Sequence, residues 1–310
     1  MRIVSLLPST TEILFAVGAG PDVVGVTFEC DYPAAARSRT IVSTSTMPPG
    51  LTPSEIDAFV SAALRRGDDL YRLDRGALAD LDADLVLTQD LCAVCAVDVS
   101  TVDDALSHLG GHAEVLTVDP HTLDDVFTSI LVIGEITGHV AAAVELVAEQ
   151  RSRLAAVRAR VAGRARPRVL LLEWTDPPFT PGHWVPDMIT AAGGEPLLGD
   201  AGAPSRRTTW AAIHASQPEL IVVAPCGYDR TEAEELAEGL VRSGNLPVGV
   251  PVVAVDANAS WARPGTRLVD GVDELARHLH PYQGPHDPHS LVSTSSAAGS
   301  PPMRNPAGKE

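Results

Sequence analysis

Four cysteines, Cys30, Cys92, Cys95 and Cys226, are the residues of this 310-residue chain best suited to chemistry. Cys92-Ala93-Val94-Cys95 has the C-x-x-C spacing of zinc and redox sites. Cys30 and Cys226 would complete a four-thiolate metal site, with His183 or His112 as substitutes. A zinc ribbon shows two such pairs, whereas one is present here, and small thiols buried under loops are the competing reading. Thiol–disulfide catalysis fits poorly, because a thioredoxin-type pair follows the first strand of its fold. The chain carries no G-x-G-x-x-G, Walker A, G-x-S-x-G or H-E-x-x-H, so no catalytic residue is expected. His108, His112, His278 and His280 are scattered and read as surface residues.

A second group of residues suits binding. Trp174-Thr175-Asp176-Pro177-Pro178-Phe179 and Gly182-His183-Trp184 make a loop richer in aromatics than a linker needs. Flat rings clustered at a cleft give apolar contact at little entropic cost, which suits a large planar ligand. Pro8-Ser9-Thr10-Thr11-Glu12 reads as a strand-to-helix turn. There Ser9 and Glu12 fit the capping box S-x-x-E, and the N–H groups of the helix start are offered to a ligand. The segment Phe28–Pro33 adds Glu29 and Cys30, and Asn258–Arg267 adds Trp261 and Arg263. All four cysteines and three of the four tryptophans fall in such segments, Trp210 being the exception near a helix start.

Those segments matter because of the elements around them. Short β-branched or leucine-rich runs alternate with longer helical patterns, the mark of parallel sheet flanked by helices. Ile3–Leu7, Val23–Thr27, Leu85–Thr88 and Val115–Val118 read as strands. Ser9–Gly18, Ser54–Arg66, Ser100–Leu109 and Leu123–Thr137 read as helices. From about His139 to Arg164 runs a long helical stretch without Pro and with no Gly before Gly163. It would span about 35 Å at 1.5 Å per residue, enough for a spine between two lobes. A second series follows, with strand Val169–Leu172, helix Pro186–Ala192 and then Gly193-Gly194. It repeats the order of Arg2–Gly18, as Gln217–Val222 before Cys226 repeats Asp82–Leu87 before Cys92. The expected fold is α/β, with two Rossmann-like lobes of parallel sheet joined by one long helix and a ligand cleft between strand ends. The lobes are residues 1–138 and 165–284, the spine is 139–164, and the Ser-, Pro-, Gly- and Ala-rich 285–310 is a disordered tail.

A formal net charge of −17 argues against nucleic acid or an anionic membrane as partner. No apolar run approaches the ~20 residues that span a bilayer. Met1-Arg2 leads straight into Ile3–Pro8, too short for a signal peptide, so the chain reads as cytoplasmic with reduced thiols, the alternative being a periplasmic protein or lipoprotein whose true start lies upstream.

The stretch Ser5-Leu6-Leu7-Pro8-Ser9-Thr10-Thr11-Glu12, with Gly25-Val26 and Asp31-Tyr32-Pro33, resembles the cobalamin-binding proteins of ABC importers. So do Pro177-Pro178-Phe179-Thr180-Pro181-Gly182, Gly193-Gly194-Glu195 and the stretch from Arg263 to about His280. That group is a branch of the helical-backbone binding proteins, which include siderophore and haem binders, and the four-cysteine pattern resembles a cytoplasmic-looking subgroup. The resemblance implies cobalamin or a related corrinoid held between the lobes with little hinge motion, contacted at Pro8, Ser9, Thr10, Phe179 and Arg263. Cys92 or Cys95 would be placed to reach its cobalt. The glutamates through which such proteins dock on a permease fall near Gly76 and Ala211, so binding is expected and permease docking is not. A pocket tryptophan of the group falls near Ser45, beside an insertion rich in Pro and Thr. The alternative from a different class is a zinc or iron protein built on Cys30, Cys92, Cys95 and Cys226. Haem or another chelated metal is the neighbouring ligand class.

Overall fold

A computed structural model describes residues 1–89 and 113–281. The first lobe opens with β1 (Ile3–Ser5), α1 (Pro8–Ala16) and β2 (Val23–Val26), then β3 (Thr40–Ile41), β4 (Ser43–Ser45) and α2 (Pro53–Arg66). It continues with β5 (Tyr71–Leu73), α3 (Arg75–Asp80), β6 (Leu85–Thr88), β7 (Glu114–Thr117) and α4 (Leu123–Ile136). The spine is α5 (Val140–Val161). Beyond it lie β8 (Arg168–Leu172), β9 (Trp174–Thr175), β10 (Pro178–Phe179), α6 (Val185–Ala191) and β11 (Glu195–Pro196). The chain then runs through α7 (Trp210–Ser216), β12 (Leu220–Val223), α8 (Arg230–Ser243), β13 (Val252–Ala254), α9 (Ala257–Ser260) and α10 (Leu268–Leu279).

Each lobe is a parallel sheet. In the first the order is β3-β2-β1-β6-β7 and in the second β11-β8-β12-β13. Strands covered on both faces must be apolar throughout. Leu85–Thr88, Val169–Leu172 and Leu220–Val223 are accordingly buried at every position. In both sheets the chain leaves the central strand to one side, then returns to build the other. Strand order therefore reverses at β1 in the first lobe and at β8 in the second, and crevices form beyond the carboxyl ends of strands at such points. The segments after β1 and β8 are thereby placed at a crevice before any side chain is considered.

The spine has 22 residues, so it is about 33 Å long at 1.5 Å per residue. Ala143, Val147, Gln150, Leu154, Val157 and Val161 are its buried positions, spaced alternately four and three apart. That stripe packs on α4 of the first lobe and on α6 and α10 of the second. Gly134 of α4 permits the closest approach, since a Cβ there would lie 2.3 Å from that of Ala143. Arg153 and Arg160 of the spine pair with Asp270 and Asp273 of α10.

Most expected elements stand within a residue or three of their ends, but the capping box does not. The first helix begins at Pro8, with Leu7 as its N-cap and no side-chain cap. Proline fits the first helical position because its missing N–H has no partner to lose there. Ser9 is consequently inside the helix, and Glu12, 1% exposed, is taken by arginines of the second lobe. Real capping boxes stand at Thr52/Glu55 of α2, Thr122/Asp125 of α4 and Asp229/Glu232 of α8. The expected helix Ser100–Leu109 lies outside the described residues, as do Cys92, Cys95, His108 and His112, and the tail 285–310.

Candidate functional site

A cleft of about 1150 Å³ opens between the lobes, larger than the ~300–1,000 Å³ of ordinary small-molecule pockets. The first lobe contributes Leu7, Pro8 and Ser9 after β1, Thr27 to Asp31 after β2, and Gln89 after β6. The second contributes Glu173 and Trp174 after β8, and Ala224, Cys226 and Tyr228 after β12. These are strand ends at the two reversal points, so the topology itself builds the site.

Aromatic groups face the space from both sides. Trp174 stands edge-on to Tyr228 with ring centroids 5.7 Å apart, and its Nε1 donates to the carbonyl of Pro53 across the cleft at 3.1 Å. Arg207 lies 5.7 Å over the ring of Phe179 while forming two hydrogen bonds with Asp57 of α2, at 2.7 and 2.9 Å. These contacts tie α2 to the second lobe at the mouth. Opposite them, Phe28 is 40% exposed beside Tyr71, whose ring lies 6.0 Å away. The Pro- and Thr-rich insertion after Ser45 also lines the cleft, through Met47, Pro48 and Pro49.

The floor is polar and buried. Arg267 grips Glu12, with Nε donating to Oε2 at 2.9 Å, and stacks 4.2 Å from the ring centroid of Tyr32. Arg263 pairs with Asp31 and Glu12 and donates to the Glu29 carbonyl at 3.4 Å. Burial pushes the Glu12 carboxyl above its ordinary value, and the hydrogen bonds and charges of Arg267 and Arg263 only partly offset it. Burial also pushes Asp31 up, but there the hydrogen bond and charge of Arg263 prevail and hold it low. Glu29 is raised by burial, with Tyr71 Oη donating to both its carboxylate oxygens at 3.3 and 3.4 Å.

Of the residues singled out from sequence, Pro8, Ser9, Glu29, Cys30, Trp174, Phe179, His183, Trp184, Cys226, Trp261 and Arg263 line the cleft. Thr10 does not. It is fully buried, its hydroxyl 2.7 Å from that of Ser5 and donating to the Leu7 carbonyl, because the helix starting at Pro8 turns it toward the core. Trp184 and Trp261 are mainly anchors, 6% and 1% exposed, and the Trp184 indole donates to the Trp261 carbonyl at 2.7 Å. Trp174 and Phe179 are the more accessible rings of the aromatic loop, with Trp184 and Trp261 forming the wall behind. His183 is held below the usual histidine range, by burial first and then by His121, whose ring is 5.9 Å away.

Cys30 is a buried thiol to which Thr11 donates at 3.1 Å, with Thr27 Oγ1 at 3.2 Å. Burial pushes it above the ordinary thiol value, which works against the thiolate that binds metals. Among the described residues no group of three or more His, Cys, Asp or Glu is arranged to hold a metal ion. Sequence reasoning missed Phe28, Met47, Asp57, Tyr71 and Tyr228. Phe28 and Tyr228 were within reach, since they stand in segments beyond strand ends, and Met47 lies in the Pro- and Thr-rich insertion, but nothing local marked Asp57 or Tyr71.

The family profile described as periplasmic binding protein matches residues 3–243. A cobalamin-binding protein of Halobacterium salinarum is 28% identical over 286 residues, covering 90% of this chain and 69% of that one. A vitamin B12-binding protein of Salmonella paratyphi A is 25% identical, covering 90% of each. Among solved structures, the periplasmic vitamin B12 binding protein of Vibrio cholerae superposes with a TM-score of 0.61 at 20% identity, over 90% of this chain and 96% of that one. A periplasmic haem-binding protein of Pseudomonas aeruginosa gives a TM-score of 0.67 at 18% identity, over 92% and 95%. These similarities lend no support to the zinc or iron alternative, nor to a cytoplasmic location. No described helix is long and apolar enough to cross a membrane.

Proposed function

This chain belongs to the periplasmic binding protein family, and from that premise we infer that its cleft holds a corrinoid of the cobalamin type. The observation that carries the reading is the cleft itself. It is oversized, sits at both strand-reversal points and is faced by Trp174, Phe179 and Tyr228 on one lobe and by Phe28 and Tyr71 on the other. A broad flat ring system buries its faces against such groups at little loss of side-chain entropy. The described residues on either side of α5 form the two walls, and that spine fixes their separation.

The roles divide by chemistry. The apolar rings cover the macrocycle, and Pro8 and Ser9 bring the start of α1 to its edge. Arg263 acts mainly through Asp31, holding the loop after β2 in position. Cys226, half-buried, lines the wall. Nothing in this arrangement requires a chemical step, and the reading is of binding alone.

The test is direct. Purified protein mixed with cyanocobalamin and passed through a desalting column should retain about one equivalent of corrinoid absorbance. Haem is run in parallel. Retention of haem with no corrinoid would overturn the assignment in favour of the neighbouring ligand class, and retention of neither would overturn both.

A further inference from the structure

The helix α2 is seated unlike its neighbours. It has 14 residues, as does α4, yet α4 fully buries Leu123, Val126, Phe127, Ile130, Ile133 and Gly134, whereas α2 fully buries Ala63 alone. Phe59 and Val60 rest half-buried on the core of the first lobe, so the carboxyl-terminal half of α2 is held there. The amino-terminal half, with Ile56 and Asp57, faces the cleft. The Thr52/Glu55 capping box closes that end, which keeps it helical without tertiary packing. A half-buried apolar side chain on a cleft wall loses its remaining exposure only when something fills the cleft.

The path of the chain isolates α2 further. It leaves at β4 and returns at β5, which pair with each other in a two-stranded ribbon outside both parallel sheets. Gly50 and Gly67 flank the helix in the left-handed region, with φ of +77° and +71°. Among the described residues, none beyond the adjoining ones comes within 4 Å of where a side chain would stand on either glycine. Such positions absorb backbone rotation at little steric cost. Toward the second lobe, α2 is held by one hydrogen bond, Trp174 Nε1 to the Pro53 carbonyl, and by the Arg207–Asp57 pair. Both meet its amino-terminal half, and the pair is weak because Arg207 is well hydrated. The lobes themselves are tied more firmly, since the spine packs on both and Arg267 grips Glu12 across the floor. Local movement at α2 is therefore the easier way to open the cleft.

We propose that residues 46–67 are a lid, in which α2 and the strap before it lift from the second lobe to pass the ligand and then close on it. The contacts Trp174–Pro53 and Arg207–Asp57 are its latch, and the turns at Gly50 and Gly67 are its joints. The proposal rests on the corrinoid reading above only for the ligand whose passage is timed.

Two measurements decide it. Hydrogen exchange followed by mass spectrometry on the ligand-free native chain should be at least ~10-fold faster over residues 53–66 than over 123–136, because a helix with so little buried surface opens more readily. Equal protection of the two helices overturns the lid, whatever the cleft holds. Stopped-flow mixing with cyanocobalamin then tests the latch. Arg207→Ala and Asp57→Asn should each raise the association and release rate constants together, by about 3–5-fold, the scale of one half-exposed ion pair. The two substitutions change the net charge in opposite directions, so a common acceleration separates unlatching from electrostatic steering. Faster release with association unchanged, or no change in either rate, overturns the latch, since loss of an ordinary wall contact acts mainly on release. If the native chain retains no cyanocobalamin, the corrinoid reading fails, and the exchange comparison still decides the lid.

Discussion

The floor and the mouth of the cleft are both bridged by arginine–carboxylate pairs, yet the two bridges sit in different solvents. At the floor, Glu12 is 1% exposed and Arg263 12%, and each has further partners. At the mouth, Asp57, 16% exposed, meets Arg207, whose side chain is 53% exposed, so one partner of that pair is well hydrated. Identical chemistry therefore has unequal consequences. A buried pair that loses one partner leaves a charge with neither water nor counter-ion, whereas an exposed charge simply rehydrates. The floor thus fixes the relation of the lobes, and the mouth stands where a ligand must pass.

The sharpest way to break this comparison is at Glu12. Glu12→Ala should lower unfolding free energy by about 3–5 kcal/mol in a denaturant titration, because it strands Arg267 in a buried site and leaves Arg263 with Asp31 alone. A loss below about 1 kcal/mol would show the floor to be as wet as the mouth. Trp261→Ala tests the packing of the same floor, and should cost about 3–5 kcal/mol as the largest fully buried side chain there is removed. Gly182→Ala comes next. A Cβ at Gly182 would fall 2.1 Å from the Ser205 backbone nitrogen, so the loop carrying His183 and Trp184 must shift, at about 1–3 kcal/mol. Corrinoid affinity should fall in parallel.

At the mouth, Arg207→Ala should cost under about 1 kcal/mol of stability. Stopped-flow release of bound corrinoid should nevertheless be faster, since α2 loses its tie to the second lobe. The smallest effect is expected outside the cleft, at Asp273. Burial raises its carboxyl, but the hydrogen bond and charge of Arg160, with Arg277, outweigh this and hold it below 3.8. A depressed folded value means the pair's contribution is complete above pH 3.8 and is lost as pH falls through the lower folded value. Asp273→Asn should therefore be less stable than the parent by under about 1 kcal/mol at neutral pH. The gap should close in acid, and a gap that persisted there would exclude the ion pair as its cause.

Much of the site was legible in the chain because strand ends are. Continuous apolar runs such as Leu220–Val223 admit few readings, so the segments after them could be named as cleft loops. Pro8, Trp174, Phe179, Cys226 and Arg263 follow from that placement. Thr10 came from the resemblance, and it faces the core because the helix starts at Pro8 and not after Ser9. Side-chain direction in the first turn depends on that one-residue difference in helix start. Tyr71 carried no local mark, because a ring on a ribbon strand reads the same whether it meets core, solvent or ligand, and within its named segment nothing set Phe28 apart. Asp57 lies in a helix whose sequence explains it as one more exposed acid.

What the sequence determined by itself was the succession of elements, the long helix dividing two similar series, and the loops that strand ends would bring to a crevice. Those follow from hydrophobic period and chain order, which are local properties. The tertiary structure alone decided which charges meet. Glu12 and Arg267 are 255 positions apart, Asp57 and Arg207 150, and Trp174 and Pro53 121. Contacts at that range depend on how two separately folded sheets are held by the spine. No pattern within either sheet encodes that.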